Sequence, residues 1–163
     1  VANLITSEQI KTIVTPVNSF DPSFFTTSIQ WIEDTIIKDI LTEAYYDDLV
    51  AKVALLPGTP LSADDQAVYD IVLNAEAYAV AFASYEKDLE RKTANQGIME
   101  NHTQWSKSAA ATNAARSLSK IKEREFFYCK QLGDFLIDNE ITYPLFDIDE
   151  LTYEPNFRRF FAI

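Results

Sequence analysis

The chain is poor in several kinds of residue at once: one cysteine, one histidine, one methionine and three glycines among 163 residues. A lone Cys129 permits neither an intrachain disulfide nor a cysteine-based metal cluster. A lone His102 rules out H-E-x-x-H and every multi-histidine zinc arrangement. The glycine-dependent motifs G-x-x-x-x-G-K-[ST], G-x-G-x-x-G and G-x-S-x-G are absent, and so few glycines speak against a turn-dense β fold. No segment reaches the roughly 18 to 20 apolar residues of a membrane-spanning helix. Basic residues are also scarce: 14 Lys and Arg stand against 25 Asp and Glu, a net charge of -11. Such a field repels nucleic acid and anionic membranes, and its plainest use is solubility.

What remains is rich in apolar material. Hydrophobic residues make up 47% and aromatics 13%, enough for a real core in one domain. Val1-Ala2-Asn3-Leu4-Ile5 lacks the basic and apolar parts of a signal peptide, so synthesis inside a cell is the expectation. Without an export signal, the Asn101-His102-Thr103 sequon is read as chance.

The stretch from Ser62 to Asn95 organises the rest. Ala67, Val68, Ile71, Val72, Ala75, Tyr78, Ala79, Phe82, Tyr85 and Leu89 recur at helical spacing, while Ala77, Ala81 and Ser84 form a small-residue flank. A broad apolar face beside a flank that admits another helix predicts the central helix of a bundle. Ser62 is placed to cap it, with Asp64 and Asp65 in the first turn and Gly97 as terminator.

Ahead of it, Thr6 and Gln9 form a capping-box pattern opening a short helix through Ile10, Ile13 and Val14, ended by Pro16. Asp21-Pro22 predicts the next start, with Phe25, Ile29, Ile32, Ile36 and Ile40 on one stripe and Phe24 and Trp31 beside it. A break is expected near Ile40-Leu41. There Thr42 can cap a helix carrying Tyr45, Tyr46, Leu49, Val50 and Val53, which Leu56-Pro57-Gly58-Thr59-Pro60 stops.

After the central helix, Ile98 to Ser106 reads as a loop and about Trp105 to Ile137 as a second long helix. Its stripe is Leu118, Ile121, Tyr128, Cys129, Leu132, Phe135 and Leu136, with Cys129 a small core residue. Glu125 projects into that stripe and must be paired, protonated or at a subunit boundary, a local Arg or Tyr partner being favoured. Phe126, Phe127 and Ile137 fall outside the stripe and form a candidate second contact surface, for a partner or for another helix of the same chain.

Tyr143-Pro144-Leu145-Phe146 reads as an extended apolar knot. Residues 1–146 are therefore taken as a helical body and residues 147–163 as a C-terminal arm. The arm ends in Phe157-Arg158-Arg159-Phe160-Phe161-Ala162-Ile163, whose rings need cover from their own domain or a neighbouring chain. The expected fold is thus all-α: four to five helices, two of them long, with an extended arm.

The search for chemistry finds no catalytic, cofactor-binding or metal site. Asp47-Asp48 reads as a solvated face and Asp64-Asp65 as a cap; Lys92, Lys107, Lys120, Lys122 and Arg124 read as a mixed-charge solvent face.

The order of segments resembles the head-tail connector (adaptor) proteins of tailed bacteriophages, especially versions from phages of Bacteroidetes. The family typically has a segment like Ile-x-Pro-Ile-Leu-Gly followed by Tyr-Asp-Glu-Leu. Here Ile37-Lys38-Asp39-Ile40-Leu41-Thr42 precedes Tyr46-Asp47-Asp48-Leu49. An Ala-rich helix (Ala75 to Tyr85), Gln96-Gly97-Ile98, and Phe135-Leu136 before Tyr143-Pro144 follow in the family's order. Asp39 stands where Pro is common and Thr42 where Gly is common.

The resemblance implies a non-enzymatic virion protein forming a ring, commonly of twelve copies, at the head-tail junction. It would be made in the host bacterial cytoplasm, docked on the portal and on adjacent neck or tail rings. Genomic DNA would pass through the lumen without specific binding, and no membrane or cofactor is implied. Phe126, Phe127, Ile137, Phe157, Arg158, Arg159, Phe160 and Phe161 are the candidate subunit or portal contacts. The rival readings are an acidic helical inhibitor that imitates DNA and, more remotely, an enzyme using a carboxylate pair.

Overall fold

In the computed structural model, α5 (Ala63–Gln96) and α6 (Gln104–Asp138) are the two long helices; the elements at residues 7–14, 23–32 and 33–37 pack on α5, while the short helix at 38–41 packs on α6. The structure describes residues 3–14, 23–96 and 104–151, with side chains described for 3–14, 23–86 and 116–151. The expected caps and stops at Pro16, Asp21-Pro22 and Gly97, and His102, lie outside the described residues.

The N-terminal helix α1 (Ser7–Val14) opens as its capping box predicts. The Thr6 N–H donates to Gln9 Oε1 at 2.8 Å, and the Gln9 N–H donates to Thr6 Oγ1 at 3.3 Å. Ile10 goes into the core, with Leu4 and Ile5 just before it also buried.

The next element changes pitch. Helix α2 (Ser23–Ile32) runs through a π segment (Glu33–Ile37) into α3 (Lys38–Leu41) without a break. A regular 3.6-residue period puts Ile36 on the apolar stripe. The wider π turn advances the register, so Ile37 is fully buried while Ile36 is only partly covered. Phe25, Ile29, Ile32 and Ile40 hold the places their spacing predicts.

The expected break falls after Leu41. Thr42 sits there at φ 64° and ψ 153°, a region of backbone space that belongs almost wholly to glycine. Its carbonyl accepts the first bond of α4 (Glu43–Val53), from the Tyr46 N–H at 3.0 Å. The predicted side-chain cap is not made. Instead the Thr42 hydroxyl turns away and donates to the Leu145 carbonyl at 3.4 Å. Glycine adopts such a positive φ without the steric cost that threonine bears.

Ser62 caps α5 as expected: its Oγ accepts from the Asp65 N–H at 3.1 Å and donates to Asp65 Oδ2 at 2.8 Å. From Ala75 to Ala81 every residue of α5 is buried. The small flank does what its size permits: Ala77 and Ala81 are fully buried, and the Ser84 hydroxyl meets that of Ser28 on α2 at 3.1 Å.

Helix α6 runs antiparallel to α5. Tyr143, just beyond α6, bonds the Asp64 carbonyl, Arg124 bonds Tyr78, and Lys122 lies over Phe82, 5.1 Å from its centroid. Gln104 to Ser106, expected in the loop, are already helical. Cys129, Leu132 and Leu136 are buried, and Tyr128 stacks on Tyr78 with centroids 5.4 Å apart. Tyr143 and Phe146 lock the following segment to the body. A 3-10 turn (Ile148–Glu150) then brings Leu151 against the core. The bundle is all-α, with no strand among the described residues.

Candidate functional site

The contact residues expected on α6 divide. Phe127 is 59% exposed and Ile137 40%, whereas Phe126 is half-buried. At about 100° per residue, Phe126 and Ile137 share a face some three turns apart, and Phe127 lies a quarter-turn round from it. The Phe127 ring is edge-on to Tyr128 at 5.2 Å. These residues are separate points along a helix, not one patch. Phe157, Arg158, Arg159, Phe160 and Phe161 lie outside the described residues.

Further apolar surface lies elsewhere. Trp31 on α2 is 53% exposed, and tryptophan is the side chain most enriched among residues that dominate interfaces. Its place off the α2 stripe was the available signal. Leu55 and Leu56, after α4, and Ile141, Leu145 and Ile148, after α6, are also exposed.

The interior holds polar chemistry that spacing could not reveal. Glu33 opens the π segment and Glu76 sits mid-way along α5; both are at 0% exposure. Glu33 Oε1 accepts from the Leu4 N–H at 2.6 Å and Oε2 from the Tyr46 hydroxyl at 3.1 Å. The Leu4 carbonyl accepts from the Tyr69 hydroxyl at 3.0 Å, so both backbone groups of Leu4 are held.

Neither oxygen of Glu76 meets an N–H or hydroxyl donor among the described residues, but its carboxyl lies in hydrogen-bonding reach of Glu33. Two carboxylates cannot bond each other without a proton. Burial, then the charge of Glu33, pushes Glu76 well above the usual carboxylate range, the protonated form being the one able to bond Glu33. Glu33 is itself pushed up by burial, opposed by its bonds from Leu4, Glu76 and Tyr46. Catalytic pairs share protons in this way, but they meet substrate. This pair is sealed, and through Glu33 and Tyr69 the backbone of Leu4 is tied to the π segment and to α5.

Glu125 is part-buried, and no Arg or Tyr bonds its carboxylate among the described residues. Burial raises it to about 7, Lys122 pulling it down and Glu86 pushing it up. Among the described residues no group of three or more His, Cys, Asp or Glu could hold a metal ion, and no helix is long and apolar enough to cross a membrane.

Fold and surface together define an all-α bundle on a long antiparallel helix pair, with large apolar side chains left outside. The chain belongs to DUF6712, a family of unknown function whose model matches residues 37–153, from the end of the π segment to just past Leu151. No curated protein and no solved structure matches the chain.

Proposed function

We propose that this chain is a structural protein of a phage particle, a non-enzymatic subunit that assembles as a ring at the head-tail junction. The observation that carries the reading is surplus apolar surface. The core is already filled by α2 to α6, yet Trp31, Phe127, Ile137, Ile141 and Leu145 remain at 40% exposure or more. They lie on different elements, as a closed ring requires: each subunit presents one face to the neighbour before it and another to the neighbour after it. The segment order shared with head-tail connectors supplies the place in the particle, with the portal on one side and a neck or tail ring on the other. The arm residues Phe157, Phe160 and Phe161 serve as anchors in that docking, and twelve copies is the number the resemblance implies.

The test is the mass of the native assembly, alone and with a cognate portal. A closed ring that binds the portal is expected. Replacing Phe157, Phe160 and Phe161 together by Ala should abolish portal docking while leaving the helical circular dichroism unchanged. A monomer at all concentrations that competes with DNA for a basic protein would instead select the DNA-mimic reading.

A further inference from the structure

The solvent side of α6 carries an excess of positive charge. At about 100° per residue, Arg116, Lys120, Arg124 and Phe127 lie within about 80° of one another along roughly 16 Å of helix. All four are exposed, Phe127 at 59%. Arg116 and Lys120 make no hydrogen bond or ion pair among the described residues. Beside them Glu123 takes the Ser119 hydroxyl at 3.5 Å, and further along Lys130 and Asp134 pair with each other. Three cations and a ring thus share one face in a chain whose net charge is -11.

Part of this face is fixed before anything binds. Arg124 donates to the Tyr78 hydroxyl at 2.6 Å, which uses one of the five N–H groups of its guanidinium. Tyr78 stacks on Tyr128, and the Phe127 ring stands edge-on to Tyr128 at 5.2 Å. A cation and a ring already held in position lose less freedom on association, which lowers its cost.

The complementary row is on α4. Glu43 and Asp47 are exposed, and neither makes a hydrogen bond or ion pair among the described residues. Four positions separate them, as four separate Arg116 from Lys120 and Lys120 from Arg124, so both rows repeat about every 6 Å. Ala44 and Ala51 are exposed on the same side of α4, and their short side chains let another helix and its ring come close. Within one chain the two rows do not bond each other: α6 packs chiefly on α5, and α4 on α3. Sign and spacing therefore match the α6 face to a second copy of the chain. A nucleic acid would meet the same three cations against the repulsion of the whole acidic molecule.

We propose that the Arg116–Phe127 face of α6 docks on the Glu43–Asp47 row of α4 in a second copy of the chain. The proposal rests on the ring reading above and names a contact between neighbours. Because the two faces differ, the contact is head-to-tail: each subunit gives α6 to one neighbour and α4 to the other.

The test uses the full chain, with native mass measured over a range of concentrations. One variant is Arg116→Glu with Lys120→Glu, a second is Glu43→Lys with Asp47→Lys, and a third carries all four substitutions. The first two should keep their circular dichroism and assemble on the order of tenfold or more weakly, because like charges now face each other. The third should recover, since both rows are exchanged together. An equal mixture of the first two should recover as well, each reversed row meeting its complement on the other chain. If the wild type forms a ring and the α6 variant assembles equally well, the contact is overturned and the ring reading stands. A wild type that stays monomeric overturns both. If the first two variants fail and neither the mixture nor the third recovers, the two rows do not meet and the contact is overturned. An α6 variant that assembles normally but loses retention of duplex DNA shown by the wild type assigns the face to nucleic acid and overturns the second copy as its occupant.

Discussion

Glu33 accepts from Leu4 and Tyr46 on one side and faces Glu76 on the other, so one proton serves two carboxyls. The sign of the resulting pH dependence follows from linkage. An acid raised on folding keeps its proton in the folded state at pH values where the unfolded chain has lost it. Stability therefore falls as pH climbs from the ordinary value of 4.5 toward the raised one. Glu76→Gln replaces the shared proton by a permanent N–H donor. In urea titrations at about pH 5 and pH 8 the variant should lose less stability between the two than the wild type. At the higher pH it should be the more stable by about 1 kcal/mol or more. Glu33→Ala should behave oppositely, costing about 3–5 kcal/mol, because it strands the Leu4 N–H, the Tyr46 hydroxyl and Glu76 together. Equal damage from the two substitutions would refute the shared proton. Thr42 gives a second test at this scale. Its backbone strain is worth about 1–3 kcal/mol, and its 3.4 Å bond to Leu145 is weak. Thr42→Gly should thus stabilise by about 0.5–1.5 kcal/mol even after glycine's extra unfolded-state freedom. A loss in denaturant midpoint would mean the Leu145 contact outweighs the strain.

Among the elements, α6 carries the clearest conflict between pattern and environment, since Glu125 interrupts a stripe that otherwise packs on α5. With its carboxyl raised to about 7, its contribution to stability is fully present below pH 4.5 and is lost through the window from 4.5 to 7 as the proton leaves the folded state. Glu125→Gln should flatten that part of the profile and raise stability at pH 8 by about 1–3 kcal/mol, with little change at pH 4. Thermal midpoints across the series decide it; a variant whose profile parallels the wild type would mean Glu125 is solvated. Periodicity made α5, α6, the break at Thr42 and the Ser62 cap readable, because each depends on residues three or four apart. The Glu33–Glu76 pair joins residues 43 positions apart, which no local pattern encodes. The π segment was hidden for a related reason. Its sequence, Glu-Asp-Thr-Ile-Ile, suits an α-helix, and the Ile36-to-Ile37 shift fits with Glu33 reaching its buried partners. The exposed side chains were half legible: Phe127 and Ile137 stood off their stripe and are exposed, whereas Phe126, also off the stripe, is half-covered.

For the molecule as a whole, charge and apolar surface call for different surroundings. A net charge of -11 opposes close approach of copies in dilute salt, and in the proposed ring the exposed Trp31, Phe127 and Ile137 would bring them together once that repulsion is screened. Assembly driven by such anchors should therefore strengthen as salt rises toward physiological ionic strength, while arginine–carboxylate contacts alone would weaken. In the proposed ring, acidic side chains lining the lumen would repel the passing DNA, where a basic lumen would grip. Both duplex and lumen carry condensed counterions, so tight binding would require a cluster of phosphate-neutralising Lys or Arg that 14 basic residues against 25 acidic ones do not readily supply. Assembled rings mixed with linear duplex at about 100 mM salt should retain no DNA in a mobility assay. Retention that fades steeply with added salt would show that basic side chains line the channel, and the sliding account of the acidic charge would then have to be given up.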